Sequence, residues 1–193
     1  LVKNKNDTRQ RLIDVTYEEV YEKGYQAASL SEILSKAQVH KGSMYYYFAN
    51  KKEMALTAFK EKMENRFSTR YESLLQNDSN IIEKLFDVLM DLSLRDFNKG
   101  CPLANIIQEM SNLDSDFDAM SKTFYQNLRA VMKAILDKAI ELKELKSCDS
   151  SKLALYITVV VEGGILASKA TGNENDYLQS IECLKEHLDN FKL

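Results

Sequence analysis

The run from Gly24 to Met54 restricts this chain more than any other feature. Ser29-Leu30-Ser31-Glu32 reads as a capping box: Ser29 can accept from the amide of Glu32, and Glu32 can reach back to the amide of Ser29. It opens a short helix over residues 30–37 that buries Leu30, Ile33, Leu34 and Ala37. Lys41-Gly42-Ser43-Met44-Tyr45-Tyr46-Tyr47-Phe48 follows after a very short gap, so another helix must start near His40. Two short helices joined by so tight a turn make a helix-turn-helix. When that motif binds DNA, its second helix lies in the major groove.

The surrounding pattern is helical throughout. One proline, Pro102, and six glycines give too little punctuation for a chain of β-turns. Helices are expected at 8–23, 30–37, from about 40, at 51–75, and then at about 80–98, 103–111, 115–145, 150–171 and 175–191. Asp7 is the expected N-cap of the first helix and Gly24 its left-handed terminator. The fold class is all-α, with about nine helices: a three-helix DNA-binding domain over residues 1–50 and a helical bundle domain over 51–193.

Charge and cysteine usage narrow the function. Residues 1–52 carry nine Lys/Arg against six Asp/Glu, although the whole chain has a net charge of −3. A basic head on an acidic body is the asymmetry expected when one end meets phosphate. Cys101, Cys148 and Cys183 lie far apart, with His40 and His187 the only histidines. That pattern supplies neither a metal site nor a disulfide framework, and it suits a reducing cytoplasm. Leu1 to Gln10 is polar and charged, unlike a signal peptide. The apolar stretch 153–170 holds Glu162 and Lys169, so it reads as a buried helix and not as a membrane span. No cofactor or metal is expected. An enzyme would need a nucleophile with its base or an acid–base pair, and no such grouping is visible.

The second helix of the motif has the chemistry of a DNA reader. Gly42 lets the backbone approach closely. Lys41 can donate to guanine O6 or N7, and Ser43 can donate or accept at a base edge. Tyr45, Tyr46 and Tyr47 offer phenol hydroxyls for phosphate oxygens. Lys51 opens the next helix, where amides and ammonium together can hold a phosphate. At 100° per residue the three tyrosines cannot all face one way, so at least one packs inward, together with Phe48.

Gly24-Tyr25, Ser29-Leu30-Ser31-Glu32-Ile33, Ala37 to Phe48 and Asn50-Lys51-Lys52-Glu53-Met54 together resemble the DNA-binding signature of the TetR (tetracycline repressor) family. The resemblance implies that Lys41 and Ser43 reach bases and that Tyr45, Tyr46, Tyr47 and Lys51 hold phosphates. Ser29, His40 and Gly42 complete the candidate interface. Gln38 stands where a turn glycine is common in the family, and His40 replaces the serine that usually opens the recognition helix. Leu34 stands at a position that is usually small.

For the body, the resemblance implies a homodimer through residues 150–191, which would bind a pseudo-palindromic duplex operator. The stretch 153–168 is apolar nearly all round, and Gly163 and Gly164 permit close approach of helices. Leu178, Ile181, Leu184, Leu188 and Phe191 form a regular stripe. The resemblance also implies a small-molecule effector among the middle helices. The candidate lining is Phe86, Met90, Asn105, Ile106, Glu109, Met110, Phe124, Tyr125, Leu128 and Glu162. The expected function is a cytoplasmic repressor released from DNA by a mainly apolar ligand. An alternative is a redox-sensing repressor switched through Cys101 or Cys183, in which a helix start lowers the pKa of Cys101.

Overall fold

The computed structural model describes residues 5–193. Nine α-helices run through them: α1 Lys5–Lys23, α2 Leu30–Ala37, α3 Lys41–Tyr45, α4 Lys51–Arg70, α5 Ile81–Met90, α6 Pro102–Met110, α7 Ser115–Glu141, α8 Ser150–Thr171 and α9 Asn175–Asp189. The all-α expectation holds, and no strand occurs among the described residues.

Several boundaries differ from the sequence reading. Asp7 lies within the first turn of α1, which starts earlier than expected. Helix α4 gives way after Arg70 to a 3-10 turn over Glu72–Gln76. The helix expected over 80–98 stops at Met90. There the Asp91 carboxylate accepts from the Ser93 amide at 3.0 Å, while Arg95 Nη1 donates to the carbonyls of Val88 at 3.1 Å and Asp91 at 2.8 Å. Those bonds satisfy groups that a helix end leaves orphaned.

The chain forms two compact units. One comprises Leu1–Asn65 with Asn105–Lys122, the other Arg66–Ala104 with Thr123–Leu193. This division differs from a cut at residue 50, because residues 51–65 of α4, most of α6 and the start of α7 cluster with the first three helices.

In the first unit, α1 buries Leu12, Ile13, Tyr17 and Val20, and α4 buries Met54, Ala58, Phe59 and Met63. Glu19 of α1 is buried with them, only 2% exposed. It is held by Lys36 of α2 and by Lys23 at 3.1 Å. The hydrogen bond from Lys36 keeps the Glu19 carboxyl below the ordinary glutamate range, against the opposing effect of burial. A depressed carboxylate contributes stability above its unfolded pKa and loses it as pH falls through its folded value. Glu19→Gln is therefore expected to lower stability at neutral pH, with the gap to wild type closing in acid below the ordinary glutamate range. Urea melts across that pH range check this. A gap that stays constant into acid contradicts it.

The second unit is built on Leu85, Leu89, Ile135, Leu136, Ile157, Tyr177, Ile181 and Leu188, all with 1% exposure or less. Its α5 is capped from a distance: both oxygens of Glu144 accept from the first amides of the helix, Ile81 at 3.0 Å and Ile82 at 3.1 Å. Two adjacent glycines on α8 have opposite surroundings. A Cβ on Gly164 would lie 3.1 Å from Cδ2 of Tyr177 and 3.3 Å from Cβ of Ser180, so α8 and α9 touch there only because the residue is glycine. A Cβ on Gly163 would meet nothing within 4 Å.

Helix α8 is long and apolar enough to cross a membrane, but Leu153, Ala154, Ile157, Val161 and Ile165 belong to this core. The apolar stripe of α9 also points inward. Ile181, Leu184 and Leu188 are buried within the protomer and Leu178 and Phe191 are half-buried, so the stripe is not a free face for a partner. The exposed apolar face is on α8, where Leu155, Tyr156, Val159 and Leu166 are 38–57% exposed on the side of Gly163. The α9 stripe has a regular spacing because it seats that helix on its own subunit.

Candidate nucleic-acid interface

Helix α2 starts as the sequence demands. Ser29, in extended conformation, accepts from the amide of Glu32 at 3.1 Å. The Glu32 carboxylate departs from the full capping box: it takes the Ser29 hydroxyl at 3.2 Å and the Lys23 ammonium at 3.2 Å. The helix ends on Gln38 in the left-handed region, with φ 54°. The amide of Gln38 donates to Ser35 at 3.1 Å and that of Val39 to Leu34 at 3.0 Å, the double bond of a Schellman turn. A side chain at positive φ costs on the order of 1 kcal/mol relative to glycine. Burial of Val39 at the turn helps to offset it.

His40 is the extended N-cap of α3, and its imidazole makes no capping bond. Met44 and Phe48 point into the core, at 0% and 3% exposure, and so fix which face α3 turns outward. That face carries exposed His40, Lys41, Gly42, Ser43, Tyr45 and Tyr46. Tyr47 is the half-buried tyrosine of the three, edge-on to Tyr46 with ring centroids 5.0 Å apart. Beside α3 lies an open concavity of about 680 Å³, lined by Leu30, Ser31, Leu34, Ser35 and the turn from Gln38 to Lys41. Ser31 and Ser35 were absent from the sequence-based set, although their spacing of four on α2 puts them on one face.

Gly42 deserves separate weight because the protein itself gives no reason for it. Its φ is not positive and a Cβ there would meet nothing within 4 Å. Glycine inside a helix costs about 0.5–1 kcal/mol relative to alanine.

Lys51 is placed differently from expectation. Its ammonium donates to the carbonyl of Tyr25 and lies 4.3 Å from the centre of the Tyr25 ring. Burial pushes its pKa down. At the start of α4, Asn50 Oδ1 accepts from the Glu53 amide at 2.9 Å and Glu53 accepts from the Ala49 amide at 2.7 Å, so part of this helix terminus is already capped.

The corner between α1 and α2 is clamped from within the same unit. Glu109 accepts from the amides of Tyr25 at 2.8 Å and Gln26 at 2.9 Å. Lys52 pairs with Asp114 at 2.7 Å and Asp116 at 2.6 Å, and the Phe117 ring lies 4.6 Å from that of Tyr25. Gly24, at φ +85°, allows this approach: a Cβ there would lie 2.8 Å from Glu109 Oε2. Glu109→Ala strands two amides and is expected to destabilise this unit by about 1–3 kcal/mol. Glu109→Gln, which can still accept one bond, should retain part of that stability. Thermal melts of the two variants check the order, and equal melting of both with wild type would contradict the clamp.

The candidate lining set is divided between the units. Asn105, Ile106, Glu109 and Met110 belong to the first, with Ile106 and Met110 buried and Glu109 committed to the clamp. Phe86, Met90, Phe124, Tyr125, Leu128 and Glu162 belong to the second. There Phe86 and Leu128 are core, Met90 packs against that core, Phe124 stacks on Phe67 at 5.9 Å, and Tyr125 is half-buried. Burial, with Glu162 nearby, pushes the Cys101 thiol up to about 12. That is opposite to the lowered value expected at a helix start, and it leaves little reactive thiolate at neutral pH.

Comparison with known proteins settles the family. Residues 12–58 match the model of bacterial regulatory proteins of the tetR family, and residues 80–183 match the tetracyclin repressor-like C-terminal domain. The chain belongs to the TetR family. An uncharacterized HTH-type transcriptional regulator in the lacX 3′ region of Lactococcus lactis is 27% identical over 191 residues, covering 95% of this chain and 94% of that one. A TetR-family regulator from Cytophaga hutchinsonii superposes with a TM-score of 0.86 at 24% identity, covering 100% of this chain and 98% of that chain. Escherichia coli NemR in its reduced form gives 0.84 at 22% identity, covering 97% of each chain. As a TetR-family member the chain is a DNA-binding transcriptional regulator.

Proposed function

We propose that this TetR-family regulator is a repressor that binds a pseudo-palindromic operator as a homodimer and leaves it when the C-terminal unit binds a small molecule. The observation that carries the DNA reading is the outward face of α3. It gathers a cation, a hydroxyl, two phenols and a glycine with no folding role, while Met44 and Phe48 hold the helix from behind. Lys41 and Ser43 read base edges, with His40 beside them at the helix start. Tyr45, Tyr46 and Tyr47 hold the backbone, and Ser29 joins them by turning its hydroxyl from Glu32 to a phosphate. Lys51 has two hydrogens beyond the one given to Tyr25, so it braces the corner and still reaches a phosphate.

The dimer is supported by the exposed apolar face of α8. Exposed leucines and a valine beside a glycine with open space suit a second copy of the same helix. Recognition helices of such a dimer must sit about 34 Å apart to enter successive major grooves. An effector that prefers a different spacing lowers operator affinity by its differential affinity for the two states and by no more. The regulator is proposed to act in the cytoplasm.

Titration of the chain's own upstream duplex at several salt concentrations tests this function. The expected result is selective binding whose salt slope falls by about one unit in Lys51→Ala. Equal, weak binding to every duplex would overturn it.

A further inference from the structure

The C-terminal unit contains a group of polar side chains that its own fold leaves incomplete. Arg95 spends Nη1 on the carbonyls of Val88 and Asp91, and its guanidinium lies 4.7 Å from the Tyr177 ring centre. Its other terminal nitrogen, Nη2, is buried without a partner. Glu162 of α8 receives the thiol of Cys101, yet its Oε2 is also buried without a partner. Arg66 and Arg95 both lie within electrostatic reach of Glu162. Two guanidinium groups thus oppose one carboxylate, and aromatic rings adjoin them: the Tyr177 ring beside Arg95 lies 5.2 Å from that of Phe97.

Buried polar atoms are nearly always paired, so each exception calls for a reason. A buried donor without its acceptor costs the full desolvation of the group. Here an unmet donor and an unmet acceptor belong to the same charged cluster but do not bond each other. One ligand carrying both an acceptor and a donor would satisfy both. The excess of guanidinium selects an anion as the acceptor, because a bond from guanidinium to carboxylate is charge-assisted. The apolar surroundings select a hydrocarbon body.

We propose that the C-terminal unit recognises an amphiphilic organic anion, a carboxylate on an apolar chain with a nearby hydroxyl, through Arg95 Nη2 and Glu162 Oε2. The inference rests on the effector-controlled repressor proposed above and names the chemistry of its effector. The carboxylate accepts from Arg95, with Arg66 adding attraction. The hydroxyl donates to Glu162. Burial pushes the Glu162 carboxyl up, so a donor at Oε2 replaces solvation that the fold has removed. The thiol of Cys101 holds the carboxylate in place and takes no part in chemistry.

Calorimetry on the chain with three matched probes tests this: 3-hydroxyoctanoate, octanoate and octane-1,3-diol. The expected order is 3-hydroxyoctanoate tightest, with each single-headed comparison weaker by about tenfold or more, as one lost charge-assisted bond implies. Arg95→Gln should erase the advantage over the diol, and Glu162→Gln the advantage over octanoate. Arg95→Lys should restore part of the first. Thermal melts confirm that the variants fold, and Cys183→Ser, exposed on α9, should behave as wild type. Equal affinity for all three probes, or an order unchanged in both variants, overturns the proposal. So does a chain that binds none of them while still binding its operator, an outcome that leaves the DNA-binding function standing. Loss of operator binding itself would instead sink the function on which the inference rests.

Discussion

Val159→Glu combined with Leu166→Glu is expected to give a folded monomer that no longer holds a full operator. Both side chains are more than half exposed in the protomer, so the change leaves its core untouched. Across a two-fold interface each glutamate would meet its own copy without a cation to pair with. Burying such charges costs about 4 kcal/mol or more, roughly a thousandfold in dimer dissociation. Light scattering should report one subunit where wild type gives two, with an unchanged melting profile at the dilutions where both are monomers. Gly163→Phe provides an independent check. The protomer has open space there, so loss of dimer without loss of fold would place the residue at the interface. Leu184→Glu would not discriminate, because Leu184 is 1% exposed and the variant would unfold the subunit itself. A Val159→Glu, Leu166→Glu chain that remains dimeric would remove α8 from the interface.

Gly42→Ala is expected to move stability and DNA affinity in opposite directions. Removing a helix glycine with no steric constraint should stabilise the fold by about 0.5–1 kcal/mol. The added methyl would stand on the outward face of α3, where the DNA backbone and base edges must approach. Loss of one well-made contact in the groove costs about 1–3 kcal/mol, or roughly 5- to 150-fold in affinity. Gly42→Leu should lose more. Melts and operator titrations on the same preparations read both quantities. A Gly42→Ala protein with unchanged operator affinity would mean that α3 does not come close to DNA at this point.

The local features of the motif were legible because their causes are local. Ser29 caps its own third neighbour, Gln38 takes the left-handed turn before a buried Val39, and Met44 and Phe48 face inward at helical spacing. The family match rests on the same stretch, together with the C-terminal domain. Legibility fails where a side chain serves a partner far away in sequence. Glu109 looks like a polar group in a ligand pocket, but its bonds go to amides more than eighty residues earlier. Glu144 lies past the end of α7 and caps α5. Lys51 carries the charge of a phosphate ligand, and only the fold shows its ammonium on the Tyr25 carbonyl. The α9 stripe failed for another reason. Spacing shows that a helix has an apolar face but does not say whether its own subunit or a second copy covers that face. The same ambiguity affects Phe86 and Leu128, which are core residues of the kind any pocket wall would also require.

Reading of sequence by α3 is decided by selecting binding sites from random duplexes with wild type, Lys41→Ala, Ser43→Ala and Tyr47→Phe. Wild type is expected to show a two-fold symmetric preference. Lys41→Ala should relax that preference at one base position in each half-site, by about 1–3 kcal/mol if that base is guanine. Tyr47→Phe should weaken all sequences alike and leave the preference intact. A preference that survives every substitution at Lys41 and Ser43 unchanged would contradict the assignment of α3 as the reader.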